Sequence, residues 1–413
     1  MNKNHIEIMS PVGSYESLMA AVQGGADAVY FGVGKLNMRA RSSVNFSLDD
    51  LEAITGICRE HGLRSYLTLN TVVFDEELDE IQRIVDAAKE HGVSAIIAAD
   101  FAVLEYARFV GMEVHISTQC NITNLAAVKF FSRYADVMVT ARELSLDQVA
   151  SIIRQIEAQN ICGPSRALVK IEIFVHGALC MAVSGKCYLS LDNFNHSANR
   201  GACLQPCRRA YTVKDKESDL ELEVDNEYIM SPKDLKTIDF LDKILAAGVT
   251  VLKIEGRGRA PEYVKTVTRV YREAVDACFN GTYTQENIDK WNLGLRSVYN
   301  RGFWDGYYQG RRLGEWSGKY GSQATMRKEH VGKVTNYYAK LNVAEIRIEA
   351  QSLNVGDSVQ INGTSTGVYE GNVDEIRVEL KSVQTANKGE LCSIPVTSLV
   401  RRNDKLYKLI ENV

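Results

Sequence analysis

No stretch of this chain approaches the roughly 20 consecutive apolar residues that a helix needs to cross a bilayer. The first residues, MNKNHIEIMSPVG, contain no secretory core: a polar stub leads directly into a strand pattern, so a cytoplasmic location is expected. Charge of one sign is equally scarce. Lys and Arg number 48 against 52 Asp and Glu, a net of −4, which gives no global attraction to nucleic acid, although a local basic patch can still act. Short catalytic signatures are missing too. The glycines of SPVGS and YFGVG do not form GxGxxG, and neither a Walker sequence, HExxH nor a GxSxG elbow between strand and helix is found. A dinucleotide oxidoreductase, a metallopeptidase and a hydrolase triad each lose their usual support.

What the chain does have is alternation. HIEIM (5–9), DAVYFG (27–32), SYLTLN (65–70), SAIIAA (94–99), EVHIS (113–117), DVMVT (136–140), VKIEIFVHG (169–177) and TVLKIEG (250–256) read as eight short strands. Helical patterns separate most of them: SYESLMAAVQGG opens on Ser14 as an N-cap, and SLDDLEAITGICREHG ends in glycine. Strands alternating with helices argue for parallel pairing and crossover connections. Eight units make a (β/α)8 TIM-like barrel over 1–283 the best count, with a doubly wound sheet as runner-up. The barrel is expected to hold a cysteine-bearing insertion at 177–235, including the acidic stretch 215–227. A Gly/Arg/aromatic connector is expected at 284–328, read as irregular. The runs GKVTNYYAKL, AEIRIEA, DSVQING and DEIRVEL, set between Gly/Asn/Asp turns, predict a small C-terminal β-barrel at 329–413.

Nine cysteines in a reducing compartment are unlikely to form a disulfide framework. Cys58, Cys120, Cys162, Cys278 and Cys392 are scattered, as small buried hydrophobes are. Cys180, Cys187, Cys203 and Cys207 are spaced C-x6-C-x15-C-x3-C. Four soft thiolates can surround an iron–sulfur cluster or zinc. Zinc usually takes tighter C-x2–4-C knuckles, and only the last pair approaches that. Reduced structural cysteines are the third alternative. In a barrel this segment follows the seventh strand, at the face where barrel chemistry gathers.

Polar residues collect at the same strand ends. Arg39, Arg41, Arg142, Arg208 and Arg257 suit an anionic ligand, because a guanidinium presents a planar fork to carboxylate or phosphate. Asn70 and Gln119 can read a carbonyl or an amide edge, and His115 or His176 can move a proton near neutral pH. Glu172 and Glu255 are candidate acids or bases, or simply arginine partners inside the barrel. In the connector, Arg296, Arg301, Arg311 and Arg312 are interleaved with Trp291, Tyr299, Phe303, Trp304, Tyr307 and Tyr308. Arginines among aromatics can bind RNA phosphates and stack on bases; otherwise the aromatics are a strap packing the two barrels together.

The stretches MSPVGSYESLMAAVQGGADAVYFG, SYLTLNTVVFDEEL, KIEIFVHGALC, SGKCYLS, NRGACLQPCR, SPKDL and LKIEGR cover most of residues 6–280. Together they resemble the collagenase-like peptidase family U32, specifically its tRNA-hydroxylation branch. That resemblance implies 5-hydroxyuridine formation at the wobble position of a tRNA anticodon stem-loop, with prephenate, a small carboxylate metabolite, as a requirement. It also implies a [4Fe–4S] cluster on Cys180, Cys187, Cys203 and Cys207. The family name leaves a peptidase as the alternative, beside hydroxylation of a 23S rRNA cytidine and a non-catalytic RNA-binding protein.

Overall fold

The computed structural model describes residues 6–41, 45–212, 228–310 and 314–412. Strands β1 (Glu7–Pro11), β2 (Ala28–Gly32), β3 (Arg64–Leu69), β4 (Ala95–Ala98), β5 (Val114–Ile116), β6 (Val137–Val139) and β7 (Lys170–Gly177) pair in parallel, each with the next. After the short β8 (Asp234–Lys236), strand β9 (Val251–Ile254) enters between β7 and β1 and pairs in parallel with both, through Phe174↔Lys253 and Ile8↔Leu252. That double pairing closes an eight-stranded barrel and removes the doubly wound alternative. β8 is an addition to it, antiparallel to β7 and paired on its far side with β10 (Phe303–Trp304).

Local chemistry explains the repeat. The helix Tyr15–Gly24 starts where the Ser14 hydroxyl accepts the Ser17 N–H at 3.3 Å, and stops where Gly25 takes a left-handed φ of 77°. The helix Pro261–Asn280 opens on a proline, whose missing N–H would have no partner in a first turn anyway. The strands are buried on both faces, which is why they read as apolar runs. Outside the barrel wall, strand and helix side chains make one large core. Inside it, Met9, Tyr30, Tyr66, Ile97, Val137 and Val251 form a smaller one. No helix among the described residues is long and apolar enough to cross a membrane.

The C-terminal region departs from expectation. Its eight-stranded antiparallel sheet runs 367–372, 358–363, 405–411, 326–338, 343–348, 391–395, 376–378, 381–383, and a separate pair joins 353–354 to 385–386. Among the described residues the first and last strands of that order do not meet. The sheet is open, and the expected second β-barrel is withdrawn. A physical reason lies at strand 367–372, whose outer edge is held by the large barrel. Gln23 accepts the Val368 N–H at 2.9 Å and donates to the Thr366 carbonyl at 2.8 Å, while Lys265 donates to the Val368 carbonyl at 2.9 Å. An edge covered in this way has no call for closure. Replacing Gln23 with alanine should cost about 1–2 kcal/mol for the two bonds, read as a lower urea midpoint with unchanged slope.

The connector also differs from its reading as irregular. Gln285–Ser297 is a helix, capped by the Thr284 hydroxyl and burying Ile288, Trp291 and Leu295. Their spacing puts all three on one face, and the Trp291 indole N–H donates to Glu273 at 2.9 Å.

Candidate active site at the barrel mouth

The C-terminal ends of the barrel strands surround a chamber of about 490 Å³. Its composition is lopsided: eight Lys or Arg residues line it and, among the described residues, one carboxylate, Glu255. The floor begins with Lys253 of β9, whose ammonium sits 2.7 Å from the Glu172 carboxylate of β7. Beneath them His115 of β5 lies between Glu172 at 3.7 Å and Glu113 at 3.4 Å. Those separations are long for hydrogen bonds, and neither ring nitrogen has a hydrogen-bond partner, so the attraction is electrostatic. Burial alone would push the imidazole's pKa down; Glu113, Glu172 and Glu7 outweigh it and hold His115 above its ordinary value of 6.5. Burial would likewise raise Glu172, but Lys253 and His115 hold it below the ordinary range.

Higher up, Glu255 is gripped by Arg39 at 2.6 Å, and the Tyr30 hydroxyl lies 3.3 Å from its other oxygen. Burial opposes ionisation here too, yet Arg39, Arg142 and Arg257 together bring its pKa to about 2. Arg257, only 5 % exposed, donates to the Thr68 hydroxyl at 2.7 Å. Burial lowers its pKa to about 10, a sign of a cation poorly compensated by its surroundings. It reaches Thr68 across Gly32, where a Cβ would come within 2.5 Å of the guanidinium. Arg142 stacks on Phe174 at 4.0 Å and donates to the Ala178 carbonyl at 3.1 Å, leaving its buried Nε without a partner. Neither Arg142 nor Arg257 has a carboxylate within ion-pair reach among the described residues. On the opposite wall Asn70 donates to Ser117 at 3.1 Å and to Gln119 at 3.3 Å.

The cysteine segment forms the rim. Cys180, Cys203 and Cys207 face the chamber; Cys187 stands behind, its N–H on Asn199 at 3.3 Å. All are free thiols. Burial pushes Cys207 up to about 11 and also raises Cys187, and nearby cysteines add to each shift. The fields of Cys180 and Cys203 reach both Cys187 and Cys207, and that of Cys187 reaches Cys207. Among the described residues, however, no group of three or more His, Cys, Asp or Glu is gathered tightly enough to hold a metal ion as it stands. Arg208 ties the segment down, donating to the Leu179 carbonyl at 2.6 Å and the Ser231 hydroxyl at 3.0 Å. Gly201 presses it against the loop that bears Arg39: at φ 78°, an added Cβ would sit 2.2 Å from the Asn37 carbonyl oxygen. Gly201→Ala should cost about 1–2 kcal/mol for the left-handed backbone alone. It should also speed the reaction of the rim thiols with an aromatic disulfide reagent; unchanged labelling rates would refute the contact.

Of the residues singled out from sequence, Arg39, Asn70, Gln119, Arg142, Arg208, Glu255, Arg257, Arg301 and three of the four cysteines line this chamber. Glu172 and His115 lie just under its floor. His176 is buried among Tyr263, Tyr271 and Phe303, away from the lining; burial and then Lys236 lower its pKa to about 3, so it is neutral at physiological pH. Arg41 is exposed and meets the rim through its backbone N–H, which donates to the Gly201 carbonyl at 3.3 Å. Arg296 faces a separate cavity of about 540 Å³, and Arg301 pairs with Asp234 at 3.4 Å. Arg311, Arg312 and the acidic stretch 215–227 lie outside the described residues. Trp291, Trp304 and Tyr308 are buried, and Tyr308 donates to the Phe174 carbonyl at 2.7 Å. Sequence reading overlooked Tyr30 and Lys253. The signal was a lone lysine inside the apolar strand VLKI.

A closed (β/α)8 barrel with its polar residues converging at the C-terminal mouth is the arrangement on which barrel enzymes build their sites. Residues 13–318 match the model of peptidase family U32, and the chain belongs to that family. A protein named Collagenase from Porphyromonas gingivalis W83 is 58 % identical over 408 residues, covering 99 % of each chain. A second Porphyromonas gingivalis Collagenase is 53 % identical over 359 residues, covering 87 % of this chain and 98 % of the other. The tRNA hydroxylation protein P1 of Bacillus subtilis is 30 % identical over 379 residues, covering 90 % and 86 %. The expected placement in the tRNA-hydroxylation branch is therefore corrected, because relatives named Collagenase are far more similar. The expectation of an iron–sulfur tRNA uridine hydroxylase is withdrawn with it. Its motifs, NRGACLQPCR among them, point to the family and do not single out that branch.

Proposed function

We propose that this chain is a peptidase of the U32 type, hydrolysing peptide bonds in the chamber at the barrel mouth. The observation that carries the reading is the 58 % identity, over nearly the whole length of both chains, to a protein named Collagenase; the geometry supports a division of labour. Arg142 and Arg257 hold the substrate's negatively charged or carbonyl oxygens. Glu255 orients the attacking water with Tyr30. In the empty chamber its pKa of about 2 makes it a weak base. A bound anion offsets the field of the arginines and raises that pKa, so arrival of substrate turns Glu255 into a better proton acceptor. The water oxygen then adds to the carbonyl carbon as its proton passes to Glu255, and the tetrahedral oxyanion faces Arg257. Collapse breaks the C–N bond, and the same proton goes to the departing amine.

The rim thiols Cys180, Cys187, Cys203 and Cys207 have the donor chemistry for a soft metal centre, iron–sulfur or zinc, but would have to draw together to hold one, since among the described residues they are not gathered tightly enough as they stand. When bound, the metal would supply a rigid brace between the rim and the loop that bears Arg39. Iron, sulfide and zinc in anaerobically purified protein, compared with Cys203→Ser, decide between the two. The peptidase reading is tested by incubating the protein with heat-unwound collagen and short peptides and identifying new termini by mass spectrometry. Absence of new termini with the metal-replete protein would reject it.

A further inference from the structure

The chamber is blocked at its base. Below the arginines, Tyr30, Phe174 and Lys253 close it, and beneath them the barrel is filled by Tyr66, His115 and Glu172, each fully buried. A polypeptide running through the site would need a second opening, and a triple helix would need a broad groove. A pocket of about 490 Å³, open at its mouth and blocked at its base, has the size of a small-ligand site and favours an end or a side chain.

Its charge says which kind. Peptide backbone is neutral, so even with Lys253 paired to Glu172 and Arg301 to Asp234, an internal segment would leave the other six basic residues facing, among the described residues, the single carboxylate Glu255. Burying cations without counter-charge is costly. Two buried polar groups, the Arg142 Nε and the Thr118 hydroxyl, have no hydrogen-bond partner, and the Arg257 guanidinium, bonded to the Thr68 hydroxyl, has no carboxylate within ion-pair reach among the described residues. Two guanidiniums and a hydroxyl lining one pocket match the two oxygens of a carboxylate.

We infer that the chamber seats the free α-carboxylate of a peptide, so that the protein works inward from the C-terminal ends of chains rather than cutting their interiors. The inference rests on the peptidase reading for the reaction, but the carboxylate seat can be measured without it. An acidic side chain offers the same chemistry, and the test separates the two sources.

Three fluorescent peptides of one sequence suffice: a free acid, its C-terminal amide, and an amide carrying an internal glutamate. Equilibrium binding is measured by anisotropy and products by mass spectrometry. The free acid should bind about tenfold or more tightly than the plain amide and be shortened from its C-terminus. Arg257→Gln should erase the difference, and Arg142→Gln, at a half-buried position, should reduce it. Equal binding and cleavage of acid and amide would overturn the inference while sparing the peptidase reading. Preference for the internal glutamate would overturn it in favour of a side-chain pocket. Selective binding of the acid without any cleavage would uphold the seat and reject the peptidase.

Discussion

Glu172→Leu should destabilise the protein by about 3–5 kcal/mol, the usual cost of breaking a buried ion pair from one side. The carboxylate is fully buried and serves two cations, Lys253 at 2.7 Å and His115 at 3.7 Å. Leucine leaves the lysine unpaired in a dry interior and weakens the field that keeps the imidazole charged. Urea unfolding reads the loss directly; a change under about 1 kcal/mol would mean that the ammonium finds water or another partner.

The same network gives a pH signature. The groups facing His115 are Glu7, Glu113, Glu172 and Tyr66, with Lys253 beyond Glu172. His115 has a folded pKa above its ordinary 6.5. Its stabilisation is therefore complete below that value and fades as pH rises through the folded one. Glu172 has a folded pKa below its ordinary 4.5, so its contribution is present above 4.5 and is lost as pH falls through the folded value. Wild-type stability from this cluster should peak between the two, and Glu172→Leu should flatten the profile.

Glu255→Gln is expected to have the larger effect on activity. A general base contributes about 10²–10⁴-fold, and glutamine cannot take the proton. Removing Glu255, the one carboxylate of the chamber among the described residues, also leaves Arg39, Arg142 and Arg257 less neutralised, so anionic peptides should bind more tightly. A fall in kcat accompanied by a lower KM is the expected pattern, and a purely structural role for Glu255 would not give it. In the wild type, kcat/KM should show no carboxylate limb in the ordinary range, because free Glu255 titrates near 2. The limb in kcat should lie higher, since bound substrate adds a like charge. Retention of full kcat by the variant would remove the assignment.

The barrel was legible because every unit repeats a short apolar run and a capped helix, and all eight strands fall where that alternation puts them. Closure was less visible: it rests on β9 pairing with both β1 and β7, and periodicity carries no record of long-range partners. The C-terminal sheet shows the same limit from the other side. Alternation tells which side chains share a face, but not that Gln23 and Lys265, more than a hundred residues away in either case, occupy an edge. Arg39, Glu255 and Arg257 could be found as charges at strand ends. Lys253 and Tyr30 were hidden within apolar strands. His176 was misleading because sequence proximity to Cys180 says little about direction: strand β7 turns its ring into an aromatic cage instead of the chamber.

The bonds from Gln23 and Lys265 to strand 367–372 make the two cores mutual guardians. Severed from the barrel, the terminal sheet would bare a line of backbone donors and acceptors, the template on which another sheet extends itself. The helices Tyr15–Gly24 and Pro261–Asn280 would lose their cover at the same moment. Proteolytic nicking between the cores would then release a fragment inclined to self-associate, and quality control in the cell would meet it as an aggregate.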